Sequence, residues 1–266
     1  MKPTISAAKR GILLVGHGTR DPRGVAELFE TARQVALARP EIAVEPCFLE
    51  IALPSIATAI ECLAERGVQQ MVVMPLLLFS AGHARRDVPH VVRAAVREMP
   101  HLIWTQAGHL GCHAAILEQS AQRFDEALYG QTTVDRVQTA LALVGRGSSE
   151  ARATEEMHRF ASLSRQARRV GSTEVCFLAM AEPRLKPTLQ ALAARRLRRV
   201  IVQPHLLFDG LLLADIRSAV AACREQHPET QWLLADRLGP TPLVCDAILE
   251  RVQQAVLPEA PAGARV

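Results

Sequence analysis

Three polar side chains stand out because each comes just after an apolar, strand-like run: His17 after Gly11–Gly16, Glu50 at the end of Ile42–Leu49, and His83 beyond Met71–Leu78. Two imidazoles and a carboxylate suit a divalent metal ion, since neutral nitrogen and anionic oxygen hold such ions while leaving coordination positions open. The same groups accept protons near neutral pH. His17 lies in Gly16-His17-Gly18-Thr19-Arg20-Asp21-Pro22, where flanking glycines permit a tight turn and close ligand approach. Asp21 fits a helix cap and Pro22 the first helical turn. This is not a phosphate loop: G-x-x-x-x-G-K-[ST] is missing, and Asp21 occupies the third glycine position of G-x-G-x-x-G. Glu50 precedes Ile51-Ala52-Leu53-Pro54, so its carboxylate is expected in a largely apolar mouth, where partial desolvation favours the protonated form. Each residue also has a plainer reading: a structural histidine in a turn, a capping glutamate before Pro54, and Arg85 and Arg86 as solvated residues at a helix start.

The elements that must position these groups occur twice. Leu14-Val15-Gly16-x-Gly18 recurs as Leu143-Val144-Gly145-x-Gly147, Cys47-Phe48-Leu49 as Cys176-Phe177-Leu178, and Pro75-x-Leu77-Leu78-Phe79 as Pro204-x-Leu206-Leu207-Phe208, all at an offset of 129. Leu110-Gly111 and Leu238-Gly239 match at 128. Two copies of one unit, 1–130 and 131–257, account for this, each long enough for its own core, which excludes a solenoid. Further strands are expected at Leu102–Gln106, Thr139–Gly145, Glu174–Leu178, Val200–His205 and Trp232–Ala235, with helices over Pro22–Ala38, Pro54–Arg66, Arg85–Glu98 and Ala114–Leu128. Apolar strands alternating with helices imply parallel sheets covered on both faces, and ligands of such sheets bind beyond the carboxyl ends of the strands. Thr132–Val137 reads as a polar connector, and 258–266 as a disordered tail.

Comparison of the copies separates function from scaffold. Arg146 stands at the position of His17 and Ala179 at that of Glu50, while His83 falls against Leu211-Leu212. All three polar groups are lost together while their neighbours are kept, as expected of one constellation held by the first copy.

Composition narrows the class. Lysine and arginine number 31 against 27 acids, too mild an excess for a polybasic membrane patch or a DNA-wrapping surface. The first 130 residues balance at 13 of each sign, so the whole excess lies in the second copy. Six cysteines include no C-x-x-C pair, which disfavours a zinc ribbon or redox dithiol and favours free core thiols in a reducing compartment. No apolar run approaches about 18 residues, and no signal sequence is recognisable, so a cytoplasmic protein is expected. Of the nine histidines, only His109-x-x-Cys112-His113 form a tight group, placed where a loop role is expected.

Leu14-Val15-Gly16-His17-Gly18-Thr19-Arg20, Phe48-Leu49-Glu50-x-Ala52-x-Pro54-Ser55-Ile56 and Pro75-Leu76-Leu77-Leu78-Phe79-Ser80-x-Gly82-His83 resemble the sirohydrochlorin chelatases. These class II chelatases insert cobalt or iron for cobalamin or siroheme. The duplication extends the resemblance over nearly the whole chain and marks the long form, in which a tandem copy replaces the homodimer partner of short members. The resemblance implies two flavodoxin-like α/β units, each a four-stranded parallel sheet of order 2-1-3-4 with helices on both faces. It implies that His17 and His83 bind the incoming metal and that Glu50 assists in removing pyrrole protons. The metal is a substrate, no permanent cofactor is expected, and iron and cobalt are not distinguished. The tetrapyrrole is an octacarboxylate, so Arg20, Arg85, Arg86, Arg146 and Arg184 are expected to pair with its carboxylates through forked contacts. A monomer acting as an internal pseudo-dimer is expected, with neither nucleic acid nor membrane as partner. The rival reading is a metal or tetrapyrrole chaperone without turnover. A histidine phosphatase would need arginine directly before its histidine, and that position is Gly16.

Overall fold

The computed structural model describes residues 9–79 and 82–255, with 82–85 described for their backbone alone. The tail expected at 258–266 lies outside the described residues.

The chain runs β1(Arg10–Gly16), α1(Pro22–Ala38), β2(Ala43–Phe48), α2(Ile56–Glu65), β3(Gln70–Pro75), α3(Gly82–Ala95), β4(Ile103–Gln106), α4(Ala114–Leu128), a short 3₁₀ turn Arg136–Gln138, and then β5(Thr139–Gly145), α5(Ala151–Arg168), β6(Ser172–Phe177), α6(Leu185–Ala194), β7(Arg199–Pro204), α7(Leu211–Gln226), β8(Gln231–Leu234) and α8(Pro242–Ala255). Each half forms a four-stranded sheet, ordered β2-β1-β3-β4 and β6-β5-β7-β8, and every strand pair is parallel. β1 and β5 are buried on both faces along nearly their whole length, which is why their sequences are unbroken aliphatic runs rather than alternating ones. Local signals place the helix starts: the Asp21 carboxylate accepts from the Arg23 N–H with Pro22 in the first turn, and the Ser55 hydroxyl accepts from the Thr58 N–H.

The packing of the last helix of each half differs from the expectation that each copy encloses its own core. α4 packs against β7 and β8 of the second sheet, and α8 against β3 of the first. The inner faces of both sheets therefore form one apolar body, in which Leu14, Phe48, Met74 and Ile248 join Leu143, Phe177, Ile201 and Phe124. Only the outer layers are separate, Leu13, Ile60 and Leu63 on one side and Val144, Leu189 and Val202 on the other. The exchange is favoured because each inner face is too broad for the one helix its own half supplies there, and fully burying an aliphatic side chain is worth about 1.5–3 kcal/mol. No helix among the described residues is long and apolar enough to cross a membrane.

Among the boundaries that depart from the sequence reading, two bear on the site. β3 ends at Pro75 rather than Leu78, and α3 starts at Gly82 rather than Arg85. Leu76 is still held to the sheet through its N–H on the Val15 carbonyl (2.9 Å), but Leu77 onward leaves the ladder. His83 thus sits in the first turn of a helix rather than in a loop.

Candidate active site

In each half the turn after the first strand is tied to the turn after the second. Leu49 N–H donates to the Gly16 carbonyl (2.9 Å) and Glu50 N–H to the His17 carbonyl (3.1 Å). Gly18 makes this approach possible: it adopts φ +111°, and a Cβ there would stand 1.8 Å from the Glu50 carbonyl oxygen. The backbone tie brings the side chains together, with His17 Nε2 3.1 Å from Glu50 Oε1. His17 is 29% and Glu50 54% exposed in the side chain, so the pair lies at an open rim. The carboxylate expected in a desolvating apolar mouth is instead largely hydrated. Ile51, the next residue, holds φ +70°, an unusual conformation for a β-branched side chain and one that clusters at functional sites.

The second half repeats this frame without its chemistry. Leu178 N–H meets the Gly145 carbonyl (3.0 Å) and Ala179 N–H the Arg146 carbonyl (2.9 Å). Gly147 has φ +92° with the Ala179 carbonyl 1.7 Å from a built Cβ, and Met180 mirrors Ile51 at φ +59°. α7 begins at Leu211 as α3 begins at Gly82, so Leu212 occupies the register of His83. Arg146 and Ala179 therefore stand where His17 and Glu50 do.

The two rims adjoin. The N-terminal turn of α1 meets the loop after β7: Arg23 Nη1 lies 3.5 Å from Asp209 Oδ2, and Arg23 also pairs with Asp21, whose carboxyl it holds below the usual range by hydrogen bonding. On the other side Arg86 Nη2 reaches within 3.8 Å of Glu150 Oε1 at the start of α5. Of the remaining arginines expected to bind substrate, Arg20 and Arg146 are exposed, and neither has a carboxylate partner among the described residues. Arg184 occupies the cap position of α6, 3.9 Å from Glu182. The side chains of His83 and Arg85 lie outside the described residues. Among the described residues no three His, Cys, Asp or Glu side chains gather into a metal-holding cluster.

Sequence reasoning missed two features of this region. One is an apolar fringe: Ile51, Leu53, Met180 and Leu211 are all more than half exposed. The other is a pair of crossed locks between the halves. Arg237, after β8, clasps Glu27 of α1 through Nε at 3.1 Å and through a second bond from Nη2, and Glu27 also accepts from the Asp209 N–H at 2.6 Å. The counterpart is His109, after β4, whose Nε2 stands 3.0 Å from Glu156 of α5; burial pushes this imidazole's pKa down against the pull of the glutamate. The signal existed in the repeat, because Glu27 and Glu156 match at offset 129 and His109 and Arg237 at 128. His113 is separately engaged, accepting from the Ala115 N–H as the cap of α4 and meeting Glu250 at 3.1 Å. His205 does not reach the rim; it is 3% exposed, its ring between those of Phe79 and Phe160.

Comparison with known proteins agrees with this geometry. The family model described as CbiX matches residues 11–127 and again 140–255, the same two units that the sheets define. A sirohydrochlorin cobaltochelatase of Priestia megaterium is 27% identical over 246 residues, 92% of this chain and 79% of the relative. A sirohydrochlorin ferrochelatase of Bacillus subtilis strain 168 is 27% identical over 249 residues, 92% of each chain. The solved structure of SirB from Bacillus subtilis with Fe3+ superposes with a TM-score of 0.81 at 26% identity, covering 92% of this chain and 95% of the other. With both halves matched over nearly their full length, the chain belongs to the CbiX family.

Proposed function

We propose that this chain inserts divalent cobalt or iron into sirohydrochlorin, with loss of two pyrrole protons. The observation that carries this reading is the His17–Glu50 pair at the open rim of the first half, 3.1 Å apart, beside a second half in which the same frame holds Arg146 and Ala179. Glu50 paired with the Nε2 of His17 orients the imidazole, which holds the incoming ion or a proton. His83, from the first turn of α3, serves as the second nitrogen ligand. As the ion passes to the four macrocycle nitrogens, the two N–H protons leave to His17 and Glu50, and from there to water. Hydration of Glu50 helps this last step, since an open carboxylate exchanges protons with solvent. Hard and borderline ligands hold the ion loosely enough to release it, as a thiolate would not.

The second half contributes recognition. Arg146 and Arg20, which no carboxylate among the described residues holds, offer forks for the peripheral carboxylates, joined by Arg85, Arg86 and Arg184 once Arg86 and Arg184 leave Glu150 and Glu182. Ile51, Leu53, Met180 and Leu211 meet the flat apolar face of the macrocycle. Since the internal copy already covers the shared core, the protein works as a monomer. Six cysteines, none in a disulfide, suit a reducing cytoplasm.

The test is a spectroscopic insertion assay with sirohydrochlorin and Co²⁺ or Fe²⁺. Relatives named for each metal are equally similar, so both ions belong in it. His17→Ala and His83→Ala should each lower the rate by about 10²–10⁴-fold, Glu50→Gln somewhat less, and Arg146→Ala should raise KM with little change in kcat. Near-parental rates in both histidine variants would refute the assignment. Binding of metal without turnover above the spontaneous rate would favour the chaperone reading.

A further inference from the structure

At the edge of the second sheet remote from the rim, the connector between the halves closes over a cavity of about 220 Å³. Thr139 and Arg199 on its wall are the first residues of β5 and β7, so the length of a strand, roughly 20 Å, separates it from Arg146 at the rim of the same sheet. Its charge balance is unusual. Arg199 is 4% exposed, and its donors go to neutral acceptors, Nε to the Gln231 side-chain oxygen (2.6 Å) and Nη2 to the Thr132 carbonyl. Arg136, also on the wall, lies over the Phe124 ring at 5.5 Å and donates to the Arg168 carbonyl (3.0 Å). Arg168 sits at 5.3 Å from the same ring, 4% exposed, with Nη2 on the Ser120 hydroxyl (2.9 Å) and Nε without a partner.

Among the described residues, the three guanidiniums face one carboxylate. Asp125 stands 3.7 Å from Arg136 and is 66% exposed. Asp135, the other acid nearby, spends a carboxylate oxygen on the Val137 N–H. Buried charge is costly unless paired, and the fold does not demand it here: the first half has Gln70, exposed, at the register of Arg199. Burial accordingly lowers the pKa of Arg199, and lowers that of Arg168 to about 10 against the pull of Asp125.

We infer that this cavity is an anion site, taking a small doubly charged oxyanion of the phosphate type between Arg136 and Arg199. Thr132 and Thr133 line the same space, and their backbone N–H groups have no protein acceptor among the described residues. Its volume is below that of drug-sized pockets, about 300–1,000 Å³, which excludes the tetrapyrrole and most cofactors and leaves room for an ion with a few waters. An occupant would tie the connector to the start of β7 and so couple the two halves through a point far from the chemistry.

Calorimetric titration of inorganic phosphate into the full chain, at constant ionic strength against a chloride control, tests this. Saturable binding is expected, weakened at least ten-fold by Arg136→Gln and by Arg199→Gln, and unchanged in Arg20→Gln/Arg146→Gln at the rim. Should Arg199→Gln not fold, Arg136→Gln decides alone, its side chain being half exposed. No saturable heat above the chloride control, or binding lost in the rim variant and kept in Arg136→Gln, would overturn the inference.

Discussion

Gly18→Ala tests the link between backbone and chemistry most directly, because the duplicated frame supplies its control. A Cβ at Gly18 would lie 1.8 Å from the Glu50 carbonyl oxygen, whereas non-bonded carbon and oxygen need upward of about 3.2 Å. The Glu50 turn must therefore retreat by about 1.4 Å, and Glu50 carries its side chain with it. Since Glu50 Oε1 and His17 Nε2 are 3.1 Å apart, a retreat of that size breaks their hydrogen bond. Misplacement by about 1 Å typically costs 10²-fold in rate, or about 2.7 kcal/mol of activation free energy. Gly147→Ala imposes the same injury on the second half, with the Ala179 carbonyl 1.7 Å from the new Cβ, and forcing a non-glycine residue into such φ values costs about 1–3 kcal/mol in either place. Both variants should thus lose a few degrees of melting temperature, while only Gly18→Ala loses about two orders of magnitude in kcat for metal insertion, measured at equal folded protein and saturating substrate. Equal loss of insertion in the two variants would refute the claim that the first half alone holds the reacting groups.

Acid should destabilise the protein through His205, whose pKa burial, aided by the Arg168 charge, drives down to about 3. Between that value and the unfolded value of about 6.5 the unfolded chain holds a proton that the native ring refuses, so stability is full above pH 6.5 and falls on acidification by up to about 1.4 kcal/mol per unit; urea titrations of parent and His205→Leu, the residue matching Leu76, should show the slope reduced in the variant, and parallel curves would exclude His205. Ser120→Ala removes the acceptor of Arg168 and a partner of the Gln203 side chain and should cost about 1–3 kcal/mol in the same titration. Residues 1–130 produced alone should self-associate in sedimentation, because α4 then lacks its sheet and β3 lacks α8; a folded monomer would contradict the exchange.

Much of this architecture is legible in the sequence because its signals are local. The start of α1 follows from Asp21 and Pro22, which act within one turn, and the offset of 129 exposes the loss of His17, Glu50 and His83 as a set. The end of β3 is misread because Leu76–Leu78 remain apolar after the ladder stops, and periodicity does not separate a buried strand from a buried turn. The hydration of Glu50 is misread for a related reason: its apolar neighbours Ile51 and Leu53 point outward, at 59% and 78% exposure, rather than around the carboxylate. The helix exchange leaves no trace in the pattern, since the apolar stripe of α4 states that a sheet must cover it but not which one.

That exchange explains why a half that lacks the proposed reacting groups persists. β3 packs its inner face on α8, which belongs to the second half, and the corresponding contact on the other side pairs β7 with α4. The two contacts have nevertheless diverged in chemistry. Met74 and Ile248 share the apolar body of the first, while the second has Gln203 bonded to the Ser120 hydroxyl at 3.0 Å and to its carbonyl at 2.6 Å. Reciprocal packing is therefore weakened: a second copy of α4 set against β3 would bring Ser120 opposite Met74, leaving a buried hydroxyl without its donors at a cost of about 1–3 kcal/mol. Covalent linkage removes the need for such self-complementarity. Once α8 always arrives with the second half, each interface is free to specialise, the first half holding the imidazole and carboxylate and the second carrying arginine in their place.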